Sequence, residues 1–585
     1  VAGHSIAGGR SPATYAPRVL ATEPRRALPL DELVVPALLG LLLVAASPSF
    51  NGSTWMPRVA ILLVLAGLGV TALVGLVRGG DRAAVAAGAF VFLAAASSLL
   101  SPQPRLSFLG LYNVGTGTVF VVALATVWAL GRTLSADGLH RAGVAVVAGA
   151  VANAAVGLVQ VALKPGFFPF EPFEKNRASG LLGNPVQLGM VMVGALAFLG
   201  VRPGRPSAAR LAAIAFLAAA LQASGSRASL LLGVLLPAAA LALLRRWQHL
   251  ALTLAAIAVG IGLVALLPLS SAGGATSRLA SSGGDSSLGS RVEMWRAGAA
   301  AVADRPVLGH GPGRFRAATL PHRSRAAAVA EGPDRYFADA HNLVVEYATS
   351  TGVLGLAALV AWVGLALRRG RGPWAVLAVA LLAGHGAQPQ MVATTPLLFF
   401  ALGAAAPRAD GTRRTRVALV ATAGLAALAA CAGAALLLGD FALNQARLDL
   451  TVDQAKRAER VLPGWPIGPS AVAQSYSFEA RLTGSATARA DAIAWRRRAT
   501  HRDALDPFVW NALGDEFFAA GRWTDAEDSY LRTLALDPYS LSALNGLAYS
   551  AANRHDADAA RRWIARSLDL RPNQPSMVNL RQQLP

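Results

Sequence analysis

The sequence predicts an all-α protein, a polytopic membrane helix bundle of about thirteen spans followed by a soluble tail of helical repeats. Three observations carry this prediction. Hydrophobic residues make up 54% of the 585 and charged residues only 15%, with a mean hydropathy of +0.46, the composition of a membrane protein. Apolar runs long enough to cross about 30 Å of hydrocarbon recur along the first three quarters of the chain. Beyond position 440 the composition turns soluble and a 34-residue period emerges.

In chain order, residues 1–30 are polar and carry Arg10, Arg18, Arg25 and Arg26. No cleavable leader is evident, so this segment reads as a cytoplasmic tail ahead of a retained first span. The membrane domain is expected over 31–439, with apolar runs at 33–47, 59–77, 83–100, 114–131, 142–163, 181–200, 209–224, 228–244, 249–269, 341–367, 373–387, 391–406 and 417–438. Some are short, and 373–406 could form a re-entrant hairpin.

Arginines set the orientation. With a cytoplasmic N-terminus, the inside loops hold Arg78 and Arg82, then Arg132 and Arg141, then Arg202, Arg205 and Arg210, then Arg245 and Arg246, then Arg368, Arg369 and Arg371, and last Arg408, Arg413, Arg414 and Arg416. Every such loop is basic, as the positive-inside rule requires. The formal charge of +21 is therefore topological rather than the sign of a nucleic-acid partner. The odd span count places the tail outside, together with a long loop at about 270–340. That loop contains nine arginines and no lysine, which suits a polyanionic ligand. Cys431, the single cysteine, lies in an apolar run and excludes disulfide and thiolate metal frameworks.

The tail, 440–585, reads as tetratricopeptide-like repeats. The segments ending at Pro538 and Pro572 are 34 residues apart. Trp510, Leu513, Gly514, Phe517, Gly521, Trp523, Ala526 and Tyr530 fit one unit, Leu544, Leu547 and Ala560 a weaker second. A helix pair near 470–500, leading to the ALDP ending at Pro507, offers a degenerate third. Small residues at Gly514 and Ala526 are expected to let paired helices approach. Such stacks bind protein partners or act as spacers.

The spans hold almost no ionisable residue in their middles, where a transporter would place them. Polar groups gather instead at the outer rim, in four segments: Ser224-Gly225-Ser226-Arg227; Gly289-Ser290-Arg291 with Trp295, running on to Asp304-Arg305-Pro306 and the turn Gly309-His310-Gly311-Pro312-Gly313; His341-Asn342; and Arg177-Ala178-Ser179-Gly180 with Gly183-Asn184-Pro185. In this order and spacing, with the earlier stretch SPQPRLSFLGLYNVGTG, they resemble the O-antigen ligase/polymerase family over roughly residues 30–406.

The resemblance implies a GT-C-like bundle in a bacterial inner membrane. It implies metal-independent, inverting transfer of a glycan from an undecaprenyl-diphosphate carrier to an acceptor hydroxyl on a glycan, lipid or protein at the outer face, with no cofactor. His341 matches the family's catalytic histidine, and Arg227 and Arg291 match arginines that hold the diphosphate. Guanidinium forks suit phosphate oxygens, and a neutral imidazole is a competent base. The helix end beside His341 is expected to help keep it neutral. Arg177, Arg305, Asn342 and Trp295 are further candidates for substrate contact. For Arg177 and Arg305, as for Lys175 and Arg105, a solvated-surface role is the favoured reading. Arg227 could equally anchor a helix end, and Arg291 with Trp295 could be a structural stack. Glu346 is not placed in the site, and His310 reads as part of a turn. A polymerase or a protein O-oligosaccharyltransferase would use the same residues; a transporter or a scaffold for the repeats is the more distant alternative.

Overall fold

The computed structural model describes residues 31–112, 116–163, 177–266, 274–280, 286–368, 370–407 and 416–585. The expectations for the tail 1–30 and for Lys175, Arg369, Arg408, Arg413 and Arg414 lie outside these residues, as does part of the stretch before residue 118. The described residues are helical throughout, with no strand among them.

Thirteen apolar helices stand where the thirteen runs were expected: α1 (Asp31–Val44), α2 (Met56–Arg78), α3 (Arg82–Leu99), α4 (Thr118–Thr133), α5 (Ala136–Ala162), α6 (Pro185–Val201), α7 (Ala208–Ala223), α8 (Arg227–Leu243), α9 (Trp247–Leu266), then, after the loop helix α10 (Ser286–Asp304), α11 (Leu343–Arg368), α12 (Gly372–Gly384), α13 (Thr394–Ala405) and α14 (Arg416–Asp449). Six of them (α2, α3, α5, α9, α11 and α14) are long and apolar enough to cross a bilayer alone. The chain is thus a multi-pass membrane protein. The starts are set by side-chain caps, which satisfy N–H groups that hydrocarbon cannot: Asp81 for α3, Ser135 for α5, Asn184 for α6, Ser207 for α7 and Ser226 for α8.

The helices pack in pairs: α2 on α14, α4 on α13, α1 on α5, α3 on α11, α9 on α7, and α6 between α8 and α12. At the core, Trp362 meets Trp128 edge-on at 5.8 Å and tilts on Phe399 at 4.6 Å. The loops expected inside meet at one rim, where Arg132 pairs with Asp81 at 3.1 Å and Arg246 donates to the Val201 carbonyl. At 13 and 12 residues, α12 and α13 are short for a crossing.

α14 runs through position 440 without a break, so the tail begins as an extension of the last apolar helix. Buried Asp440 secures that junction, accepting from the Tyr112 hydroxyl and from Gly52 N–H. The tail then folds as α15 (Val452–Val461), α16 (Ile467–Thr483), α17 (Ala486–Arg502), α18 (Pro507–Ala519), α19 (Trp523–Leu536), α20 (Leu541–Asn553), α21 (Ala557–Leu570) and α22 (Pro575–Gln583). The helix pair expected near 470–500 is present as α16 and α17, packed on each other. Gly514 admits more than a close helix approach: the Tyr530 ring lies where its Cβ would be.

Candidate functional site at one rim of the bundle

The glycine-rich turn at 309–313 forms a backbone clamp on a broken helix. α11 is interrupted at Gly352, whose φ is 64°. The sequence shows no such break, because glycine is ordinary in membrane helices. The freed backbone groups find partners in the loop: His310 and Gly311 N–H donate to the Thr349 and Ser350 carbonyls at 3.0 and 2.8 Å, and Val353 N–H donates to the Pro306 carbonyl at 2.8 Å. Gly309 and Gly352 are required here. A Cβ on Gly309 would stand 2.6 Å from the Ser350 carbonyl, and one on Gly352 would fall on that of Val307. The His310 ring bonds the Ala301 carbonyl at 2.7 Å, in keeping with the turn role expected of it.

His341 stands just ahead of α11 with φ 49°, a left-handed conformation uncommon outside glycine. Asp339 holds it there: its carboxylate accepts the His341 backbone N–H at 2.7 Å and lies 3.0 Å from the ring Nδ1. That contact puts the proton on Nδ1 and leaves Nε2 as the acceptor. Asn342 helps to build the helix start. Its carboxamide oxygen caps α11 through Val344 and Val345 N–H, and its NH2 donates to the Gly386 carbonyl. The group against the imidazole is therefore a carboxylate, and the open helix end expected there is closed by Asn342.

Two further side chains fix the same corner. Buried Glu346 accepts from Ala340 N–H at 2.9 Å, and the Trp295 indole donates to the Ala340 carbonyl at 2.9 Å. Trp295 thus positions the residue preceding His341. One turn earlier on α10 lies Arg291, on the same face at i, i+4 spacing. Burial, and behind it the nearby Arg227 guanidinium, lowers the pKa of Arg291 from the ordinary arginine range. Arg227 opens α8 and reaches the Arg278 carbonyl at 3.4 Å. Arg177 is buried, with its Nε donating to the Ser224 carbonyl at 2.7 Å. It braces the turn that presents Arg227, contrary to the solvated-surface reading. Arg177 is thereby linked to the turn before Arg227, Arg227 to Arg291, and Trp295 to the residue before His341. Arg305 is exposed and leans on the Leu100 carbonyl.

A cavity of about 280 Å³ opens beside His341, lined among others by Trp55, Arg58, Gln187, Asp339 and Met391. Among the described residues no three His, Cys, Asp or Glu side chains gather as metal ligands.

Residues 212–360 match the O-antigen ligase family. The matched segment contains Arg227, Arg291, Trp295, Arg305, His341 and Asn342; Arg177 and the repeat tail lie outside it. Three of the four rim segments that carry the resemblance thus fall within the family match, and the segment 177–185 lies outside it. No curated protein matches the chain. A crystal structure of the APC/C hetero-tetramer Cut9–Hcn1 is 12% identical over 79% of this chain and 76% of its own, with a TM-score of 0.23, too low to carry an argument.

The arginine-rich loop within the O-antigen ligase match differs from its expectation. Four of its nine arginines meet aspartates of the tail. Arg314 forms a two-pronged pair with Asp503, at 3.0 and 3.3 Å. Arg316 reaches Asp506 at 2.6 Å, Arg323 lies 3.9 Å from Asp537, and Arg325 meets Asp569 at 2.8 Å. Asp506 and Asp537 belong to the turns that end successive repeats, and Asp569 lies in the last turn of α21. For these four positions the anion is the protein's own tail.

The sequence reading passed over Asp339, Glu346 and Arg58. Asp339 was detectable as an acid two residues before the histidine. Glu346 sits inside an apolar run, where a single charge does not alter the pattern, and Arg58 directly precedes one.

Proposed function

We propose that the protein transfers a glycan from an undecaprenyl-diphosphate carrier to an acceptor hydroxyl at the outer rim, without a metal and with inversion. The O-antigen ligase match supports a membrane glycosyltransferase as the class. The observation that carries the finer reading is the Arg227–Arg291 pair, linked through Trp295 of α10 to a histidine already oriented by a carboxylate. Two guanidinium groups brought close to each other raise the local positive potential, and their forks fit diphosphate oxygens.

In this reading the acceptor O–H gives its proton to Nε2 of His341 as its oxygen attacks the anomeric carbon. The bond from that carbon to the diphosphate breaks on the opposite face, and the carrier leaves with the electron pair, its charge held by Arg227 and Arg291. Asp339 fixes the tautomer and stabilises the imidazolium that forms, the role of the third member of a triad. Trp295, Glu346 and Asn342 hold the backbone on either side.

The test uses the purified full chain with undecaprenyl-diphosphate-linked glycan and acceptor. Wild type should release carrier and glycosylated product. His341→Ala should release neither, and Asp339→Asn should retain a small fraction. Equal turnover by wild type and His341→Ala would remove the assignment.

A further inference from the structure

Arg58 lies near the start of an apolar helix, only 2% exposed. Its guanidinium donates to three carbonyls, those of Leu42 at 2.8 Å and of Leu43 and Leu181 at 3.1 Å each. Among the described residues no carboxylate forms an ion pair with it. Carbonyl dipoles orient the group without neutralising it, and a buried charge lacking a counterion is disfavoured by several kcal/mol. It nevertheless lines the open cavity that His341 also lines.

The rest of that wall has a consistent character. Trp55 offers an aromatic surface, Thr54, Asn184 and Gln187 bring hydroxyl and carboxamide groups, and the acid of the lining, Asp339, is engaged with His341. At about 30 Å³ per water, 280 Å³ holds roughly nine waters, or about one sugar ring. Few polar groups on a largely apolar wall is the usual make-up of a small-molecule site. Trp55 is also held from outside, packed edge-on against Tyr112, which in turn packs on Trp465 of the tail.

We infer that the cavity between His341 and Arg58 is the acceptor subsite, and that it takes a sugar bearing an anionic group, a carboxylate or phosphate facing Arg58. The assignment as acceptor subsite rests on the glycan-transfer reading, because it is there that His341 Nε2 must meet a hydroxyl. The preference for an anionic sugar does not depend on turnover. An oxyanion could also be the carrier's diphosphate, and competition separates the two sources.

The experiment is equilibrium binding to the full chain in lipid nanodiscs without donor, read by ligand-detected NMR. The probes are methyl glucuronide, its neutral counterpart methyl glucoside, and methyl phosphate. The glucuronide should bind at least about tenfold more tightly than the glucoside, the effect of one charge-assisted contact. Methyl phosphate should compete with it. Gln187→Glu, which places a carboxylate in the wall without touching the carbonyls around Arg58, should abolish the preference, and Gln187→Ala should keep it. Saturating undecaprenyl diphosphate should leave glucuronide bound. Equal binding of the two glycosides, or binding of neither, overturns the inference. A preference that survives Gln187→Glu does the same, and displacement by undecaprenyl diphosphate moves Arg58 to the donor site. None of these readouts needs transfer, so a protein that fails to consume donor contradicts the proposed reaction and leaves this result intact.

Discussion

Two groups of arginines lie at the same rim, one wholly in the long loop and one shared between that loop and the start of α8, and their surroundings differ. Arg314, Arg316, Arg323 and Arg325 each face an aspartate from the repeat tail. Arg291 faces another arginine, Arg227. Guanidinium groups paired with tail acids hold the protein together; two guanidinium groups brought close to each other raise the local positive potential, which suits an anion. An arginine-rich loop is therefore not one feature with one function, and counting its residues overstates the ligand site.

The comparison is broken most severely at its buried end. Arg314 and Asp503 are 4% and 3% exposed, so Asp503→Ala leaves a buried guanidinium without its counterion. It should destabilise the loop–tail junction by about 3–5 kcal/mol, read as early release of the tail in limited proteolysis during a thermal ramp. Arg314→Met combined with Asp503→Leu should recover most of that loss. At the ligand end, Arg291→Ala should lower turnover by about a hundredfold or more while leaving the melting profile nearly unchanged, and Arg291→Lys should recover only part.

Arg325 and Asp569 are 52% and 64% exposed. Despite its good geometry, removing that pair should change stability by less than about 1 kcal/mol, and salt should erase the change. The smallest effect belongs to His310, in the clamp between the two groups. Burial lowers its pKa from the ordinary histidine value, despite the opposing bond to the Ala301 carbonyl. The folded loop then binds a proton more weakly than the unfolded chain does. Its stabilising contribution is present above about pH 6.5 and is lost as pH falls below it. Hydrogen exchange at 306–313 should accelerate on acidification in wild type, and His310→Gln should flatten that response.

Much of the architecture was legible because it rests on local signals. Thirteen apolar runs became thirteen helices, since hydrophobic length needs no tertiary partner to be read. The repeats were equally plain from Trp510, Gly514 and Tyr530. The site was legible in its motif residues but not in its division of labour. Asn342 and Trp295 fitted substrate contact as well as capping and backbone support, and only their bonds to α11 and to Ala340 separate those roles. The partners of Arg316 and Arg323 were hidden for a similar reason. Asp506 and Asp537 are acids of repeat turns, and Asp506 does cap α18, so nothing local announces that the same carboxylates face a loop nearly two hundred residues earlier. The break at Gly352 depends on a clamp that only the folded chain supplies.

The most direct test of this division is binding of undecaprenyl diphosphate to the full chain in nanodiscs. The comparison is between Arg227→Ala/Arg291→Ala and Arg316→Ala/Arg325→Ala. The first pair of substitutions should abolish binding, and the second should leave it within about twofold of wild type while weakening the hold on the tail. Equal loss in both, or full binding by the first, would contradict the account.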